Sequence, residues 1–177
     1  LIDGSSSESI VTMGMHRLVQ DVQRRQLARE PATWEDNVRL VASLLGSAMP
    51  EVGYAATFEE AEAVAPLLTH VHSLLTGATL STREMPTGLV PAQLLDEAAG
   101  ARKRRGEYEM MRVLCEACLR EERAAKGEEH PDTLLAMGNL AISLSDSGQH
   151  ADALEMRRTV LEVCLLYTSP SPRDGRE

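Results

Sequence analysis

Aromatic residues are scarce: in 177 residues there are one Trp, one Phe and three Tyr, 3% of the chain. Strands favour aromatic and β-branched side chains. A chain that is 43% hydrophobic but has so few rings must build its core from Leu, Val, Ala and Met, which suits packed helices better than sheets. An excess of basic charge is also missing. The net charge of −9 argues against nucleic acid or an anionic membrane as a general partner. Arg102-Lys103-Arg104-Arg105 is a local exception, and it reads as the solvated, dipole-complementing end of a helix. No apolar run approaches the ~20 residues of a membrane span, and no signal peptide is visible. Cysteine is rare and lacks a framework of pairs, which fits a reducing compartment, so a cytoplasmic protein is expected.

Catalytic signatures are absent as well. There is no G-x-x-x-x-G-K-[ST] loop, no G-x-G-x-x-G, no G-x-S-x-G and no H-E-x-x-H. Nothing positive supports an enzyme or a cofactor. Cys115-Glu116-Ala117-Cys118 has redox or zinc spacing. However, it lies in a helical pattern with both cysteines inward and no second ligand pair nearby, so both read as small buried residues. His70 and His72 stand two apart, a spacing that does not share a helix face; one faces the core and the other solvent. His16 and His130 read as helix-boundary residues. Glu59-Glu60 and Glu128-Glu129 read as solvated first-turn charges.

What the chain does contain is a helical pattern running from Glu128 to Val163. Pro131 suits the first turn of a helix, where a missing N–H costs nothing, and its acidic neighbours favour that end of the dipole. Leu134, Met137, Leu140, Ala141 and Leu144 recur at helical spacing. Ser147-Gly148 ends the run, with the glycine suited to a left-handed position. A second helix from about Ala151 carries Ala153, Met156, Val160 and Leu161 on one face. Ala141 and Ala153 would let the two backbones approach closely.

The pattern recurs upstream. A shift of 42 residues puts Gly106 on Gly148, Tyr108 on His150, Met111 on Ala153, Cys118 on Val160 and Leu119 on Leu161. A fixed period in this range signals stacked helical units. His130-Pro131-Asp132-Thr133-Leu134, Asn139-Leu140-Ala141 and the Gly148 to Ala153 spacing resemble tetratricopeptide repeats of the kinesin-light-chain type. Their repeat is longer than the usual ~34 residues, with the surplus here around Arg123–Glu129. Over Leu94–Arg105 the likeness is weaker, and Arg102 stands at a normally apolar position. The resemblance implies helical hairpins at Ala92–Arg105/Glu107–Lys126 and Asp132–Ser147/Ala151–Val163.

Upstream of the repeats, Leu1–Met15 reads as a short hairpin with a β-prone arm, followed by a helix from Met15 to Arg29. Thr33 is a plausible cap for a helix over Trp34–Met49, whose expected buried set is Trp34, Val38, Val41, Leu44, Leu45 and Ala48. Pro50–Tyr54 is a turn. Thr57 caps a helix from Phe58 to about Ala65, and Pro66–Gly77 carries another apolar run. Ala78–Pro91 is the candidate linker and boundary. His16-Arg17-Leu18-Val19-Gln20, the Trp-led helix and Leu67–Leu75 resemble the connector of NB-ARC–tetratricopeptide proteins, signalling ATPases of the STAND class. That resemblance implies residues 1–15 as the remnant of an upstream winged-helix-like domain, 16–77 as a helical connector, 78–91 as linker and 92–163 as the first repeats of a truncated array. The chain begins at Leu1, as expected of a fragment.

The segment 164–177 differs in kind. Cys164-Leu-Leu-Tyr-Thr-Ser resembles the in-frame translation of a transposase sequencing adaptor, so a non-native tail is expected, poorly ordered beyond Ser169.

In a stacked-hairpin solenoid the first helix of each unit lines the concave side. Leu134, Met137, Ala141 and Leu144 point into the stack, while Leu135, Asn139, Ile142 and Asp146 form a separate stripe. Apolar, amide and carboxylate groups together suit an extended peptide, because Asn bonds both N–H and C=O groups. On that reading Asn139 is an exposed polar anchor. In the alternative it braces neighbouring helices and Ile142 is covered by a further repeat. The expectation is an all-α solenoid fragment, a helical connector followed by antiparallel tetratricopeptide hairpins. It would bind a protein or peptide in its concave groove, as the sensing arm of an NB-ARC-type ATPase. A kinesin-light-chain-like cargo adaptor, or an accessory region of an enzyme, is the alternative.

Overall fold

The computed structural model describes residues 31–49, 57–79 and 85–168. Among these the chain forms seven helices and no strand, so the all-α expectation holds. It divides into two compact units, 1–34 and 35–177, and the contacts that follow lie within the second. The hairpin expected over Leu1–Met15, the helix from Met15 to Arg29 and the Pro50–Tyr54 turn lie outside the described residues.

Helix α1 spans Pro31–Ala48, starting earlier than expected. Pro31 supplies a preset φ and needs no N–H partner at a first turn, so Thr33 lies inside the helix rather than capping it. The buried face is Val38, Ala42, Leu45 and Met49, a stripe at i, i+4, i+7 and i+11. Val41 and Leu44, expected inside, are exposed, as is Ala48, and Trp34 is half-buried. Two stripes were available on this Leu- and Val-rich helix, and the one with the small Ala42 faces inward.

Helix α2, Phe58–Ala63, starts from a reciprocal cap at Thr57. The Glu60 N–H donates to Thr57 Oγ1 (3.3 Å), and the Thr57 N–H donates to Glu60 Oε2 (2.8 Å). The Thr57 N–H and the Thr57 hydroxyl, which also donates to Glu60 Oε2 (3.0 Å), hold the Glu60 carboxyl below its ordinary pKa. Val64 interrupts the path before α3, Ala65–Thr79, because Pro66 cannot continue α2 but fits the first turn of a new helix. Helix α3 runs through Gly77, two residues past the expected end.

The stretch expected as a linker is packed down beyond residue 84, with Met85, Leu89 and Val90 buried. The Gly88 N–H, at φ +84°, donates to Glu121 Oε2 at 2.6 Å.

Four helices follow: α4 Ala92–Arg104, α5 Tyr108–Lys126, α6 Pro131–Asp146 and α7 His150–Thr168. Each packs against the next, and α2 and α3 both pack on α4. The expected hairpins are present, with their inner ends within two residues of the predicted ones. Their turns are built alike. The N–H groups of Gly106 and Glu107 donate to the carbonyls of Lys103 and Arg102 (both 3.0 Å). Those of Gly148 and Gln149 donate to Ser145 (3.1 Å) and Leu144 (2.8 Å). This bond pair satisfies the last carbonyls of a helix when the residue after its cap is left-handed, and Gly106 and Gly148 have φ of +72° and +82°.

Leu95, Ala98 and Ala99 of α4 are buried, as are Met111, Leu114, Cys115, Cys118 and Leu119 of α5. On α6, Met137, Leu140, Ala141 and Leu144 are buried, while Leu134, expected inside, is half-buried. Ala153 is buried near the start of α7. Leu161, expected on the inner face, is 57% exposed, whereas its register equivalent Leu119 is 3% exposed because α6 covers α5. Helix α7 passes Cys164 without a break and reaches Thr168, with Leu165 and Leu166 exposed. Residues 169–177 lie outside the described residues.

Candidate functional site

The stripe predicted on α6 divides by exposure. Leu135 is 62% exposed, Ile142 is half-buried and Asp146 is exposed. Asn139 fits the bracing alternative and not the exposed anchor: only 9% exposed, it donates from Nδ2 to Asp96 Oδ1 on α4 at 2.9 Å. The expected exposed anchor is a buried brace between the first helices of the two hairpins. The reason is geometric, since a half-buried carboxylate on α4 lies within reach and needs a donor.

A second bridge parallels the first. Lys103 Nζ of α4 lies 3.9 Å from Asp146 Oδ2 of α6. The bridging residues are seven apart on each helix, two turns, so both cross-links lie along one pair of helix faces. The sequence reading misses Asp96. Its signal lies in the 43-residue spacing to Asn139, one more than the repeat register, but a lone carboxylate on a helix surface does not announce a partner. Burial pushes the Asp96 carboxyl above its ordinary range, and nearby Glu97 and Glu122 add to this, against the lowering effect of the Asn139 bond.

The loop before α6 is fixed from several sides. His130 caps the helix, its Nδ1 accepting from the Asp132 N–H at 3.2 Å. The fully buried Thr133 donates from Oγ1 to the Gly127 carbonyl at 2.7 Å. Lys126 reaches Asp132 Oδ2 at 2.6 Å and Glu122 Oε2 at 2.8 Å. These contacts set the angle at which α6 leaves the turn, and so where Leu135 points.

The remaining candidates are structural. Cys115 and Cys118 are buried, as expected. Burial pushes the Cys118 thiol up to about 12, with Asp96 and Cys115 adding to the shift. Such a thiol is a poor nucleophile and ligand, since both roles need the thiolate. His70 is exposed and His72 half-buried. Glu59 and Glu60 stand in the first turn of α2, and Glu128 and Glu129 in the exposed turn before α6. No described helix is long and apolar enough to cross a membrane.

Among known families, residues 91–165 match the tetratricopeptide repeat. That span holds α4 to α6 and most of α7, both hairpins and both bridges. No curated protein and no solved structure matches the chain.

Proposed function

We propose that this tetratricopeptide-repeat chain is a protein-binding module whose ligand is a peptide segment lying along the exposed face of α6. Tetratricopeptide repeats generally mediate protein–protein interaction. The observation that supports the location is Leu135, a large apolar side chain 62% exposed beside two polar bridges. Leu135 and Ile142 would supply contact area and Asp146 a charged edge. Asn139, already bonded to Asp96, would act mainly as the floor that holds α4 and α6 at a fixed separation. Such a preorganised face lowers the cost of ordering a ligand.

The wider reading is that the repeats are the sensing arm of a cytoplasmic NB-ARC-type signalling ATPase, with 16–77 as its connector. What supports it is the residue pattern of the connector, together with the packing of α2 and α3 on the first repeat. A kinesin-light-chain-like adaptor shares the repeat pattern and is the competing reading. Longer transcripts separate the two: a nucleotide-binding loop encoded upstream supports the first, and a heptad coiled coil the second.

The binding site is tested by selecting peptides from a random display library against the full chain. Titrations against the Leu135→Ala variant then follow. Selected peptides should bind this variant at least about tenfold more weakly, as loss of an interface anchor does. Peptides that bind it as well as the wild type place the site elsewhere.

A further inference from the structure

The last turn of α4 carries a cationic run whose members are not equivalent. Arg102 occupies the position that Leu144 fills one register later, and its side chain is only 14% exposed. A half-buried guanidinium needs partners for its donors, and Arg102 has them on both sides. Nη1 is paired with Glu107, at the start of α5, and Nη2 donates to the Leu68 carbonyl of α3 at 3.1 Å. Arg105 continues the chain of charges. Its Nε donates to the other Glu107 oxygen, Oε1, at 2.6 Å, and its Nη1 pairs with Glu62 of α2. Burial raises the Glu107 carboxyl pKa, but the two arginines outweigh it and hold the group below its ordinary value.

The network is thus ordered from inside to outside. At the inner end Arg102 grips the backbone of α3. At the outer end Arg105 holds Glu62, whose side chain is 47% exposed. Glu107 ties both arginines to the glycine turn of the first hairpin. None of this is demanded by the repeat itself, because Leu144 precedes the same turn at the end of α6 without such charges. Arginine in place of a core leucine here reaches both the turn of its own hairpin, through Glu107, and the backbone of α3, through Leu68.

We propose that Glu62, Arg105, Glu107 and Arg102 form a two-stage latch that docks the α2–α3 pair on the first hairpin, with α2 released before α3. The outer stage is the exposed Glu62–Arg105 pair, which dissolved salt screens readily. The inner stage is the half-buried Arg102 clamp, which salt screens less. The device lets the helices preceding the repeats loosen in steps while the hairpins stay folded.

Hydrogen exchange read by mass spectrometry on the full chain tests this, using wild type at low and high salt and the variants Glu62→Gln, Glu107→Gln and Arg102→Leu. The last installs the residue that serves the equivalent position in α6, so the hairpin keeps its packing. With Glu62→Gln, or wild type in about 1 M salt, exchange across 58–63 should rise about two- to fivefold, the effect of losing one exposed ion pair, while 67–76 stays unchanged. Arg102→Leu and Glu107→Gln should speed both segments and leave 108–160 protected. The proposal is overturned if Glu62→Gln and salt leave 58–63 unchanged, or if α3 loosens before α2. It is also overturned if both inner variants deprotect the hairpins as much as α2 and α3, because the charges would then hold the repeat and not the connector.

Discussion

Asn139 reaches across from α6 to Asp96 on α4, 2.9 Å from amide nitrogen to carboxylate oxygen, and this bond joins two helices that are not consecutive in the stack. Asn139→Ala would leave the half-buried Asp96 without its donor. The expected cost is about 1.5–3 kcal/mol of stability, the size of a lost bond to a charged group. Urea denaturation of the two proteins measures it. An unchanged midpoint would mean that the bridge contributes nothing.

Asp96 also makes a pH prediction. Its folded pKa is raised, so its contribution to stability is greatest below the unfolded carboxylate value and is lost as pH rises through the folded one. At pH 7 the ionised group is therefore a net cost. Asp96→Asn removes the charge and leaves an amide oxygen to accept from Asn139. The variant should melt higher than wild type at pH 7, with the difference shrinking as pH falls into the carboxylate range. Melting curves at several pH values decide it, and a gap that widens toward acid would contradict the assignment.

Leu140 and Leu135 lie five residues apart on α6 and should behave oppositely. Leu140 is buried, and Leu140→Ala should cost roughly 2–5 kcal/mol. Leu135→Ala should change stability by less than about 0.5 kcal/mol. Equal destabilisation by the two in thermal melts would put Leu135 inside the fold.

The cysteines should separate by reactivity. Cys164 is exposed, whereas Cys115 and Cys118 are buried. A thiol reagent should modify one site quickly in the native protein and the other two only at the rate of unfolding. Fast modification of all three would show that the packing around α5 opens freely.

Gly148 has φ +82° with no atom near its missing Cβ. The objection to a side chain there is therefore the backbone and not space. Gly148→Ala should cost about 1–2 kcal/mol, and Gly148→Asn less, as read from the midpoints of urea denaturation. Equal losses for the two would indicate a steric cause.

The repeats are legible in the sequence because their information is local. Gly106 and Gly148 mark turns by a conformation that only glycine enters cheaply, and the spacing between them carries the register. The choice of face is not legible in the same way. In α1, Val41 and Leu44 are as apolar as Val38 and Leu45, so periodicity alone does not tell which stripe has a partner. The register misplaces Leu161 because it copies the residue from α5 without the α6 that covers it. For Asn139 the sequence leaves anchor and brace both open for a related reason, since its partner Asp96 sits on a different helix and the bond is a tertiary fact. Arg102 stands out in the sequence as a departure, but its purpose is visible only with Leu68 and Glu107 beside it.

From α4 onward each helix packs on the one that follows it in the chain. The contact order of this part is therefore low, and little loop-closure entropy precedes the first native contacts. Folding in the microsecond-to-millisecond range is the kinetic consequence. Since neighbour couplings add along such an array, α7, with Leu154, Leu161, Leu165 and Leu166 exposed, should open more readily than α5 and α6. Hydrogen exchange should then report a gradient that steepens toward Thr168, in place of a single cooperative event.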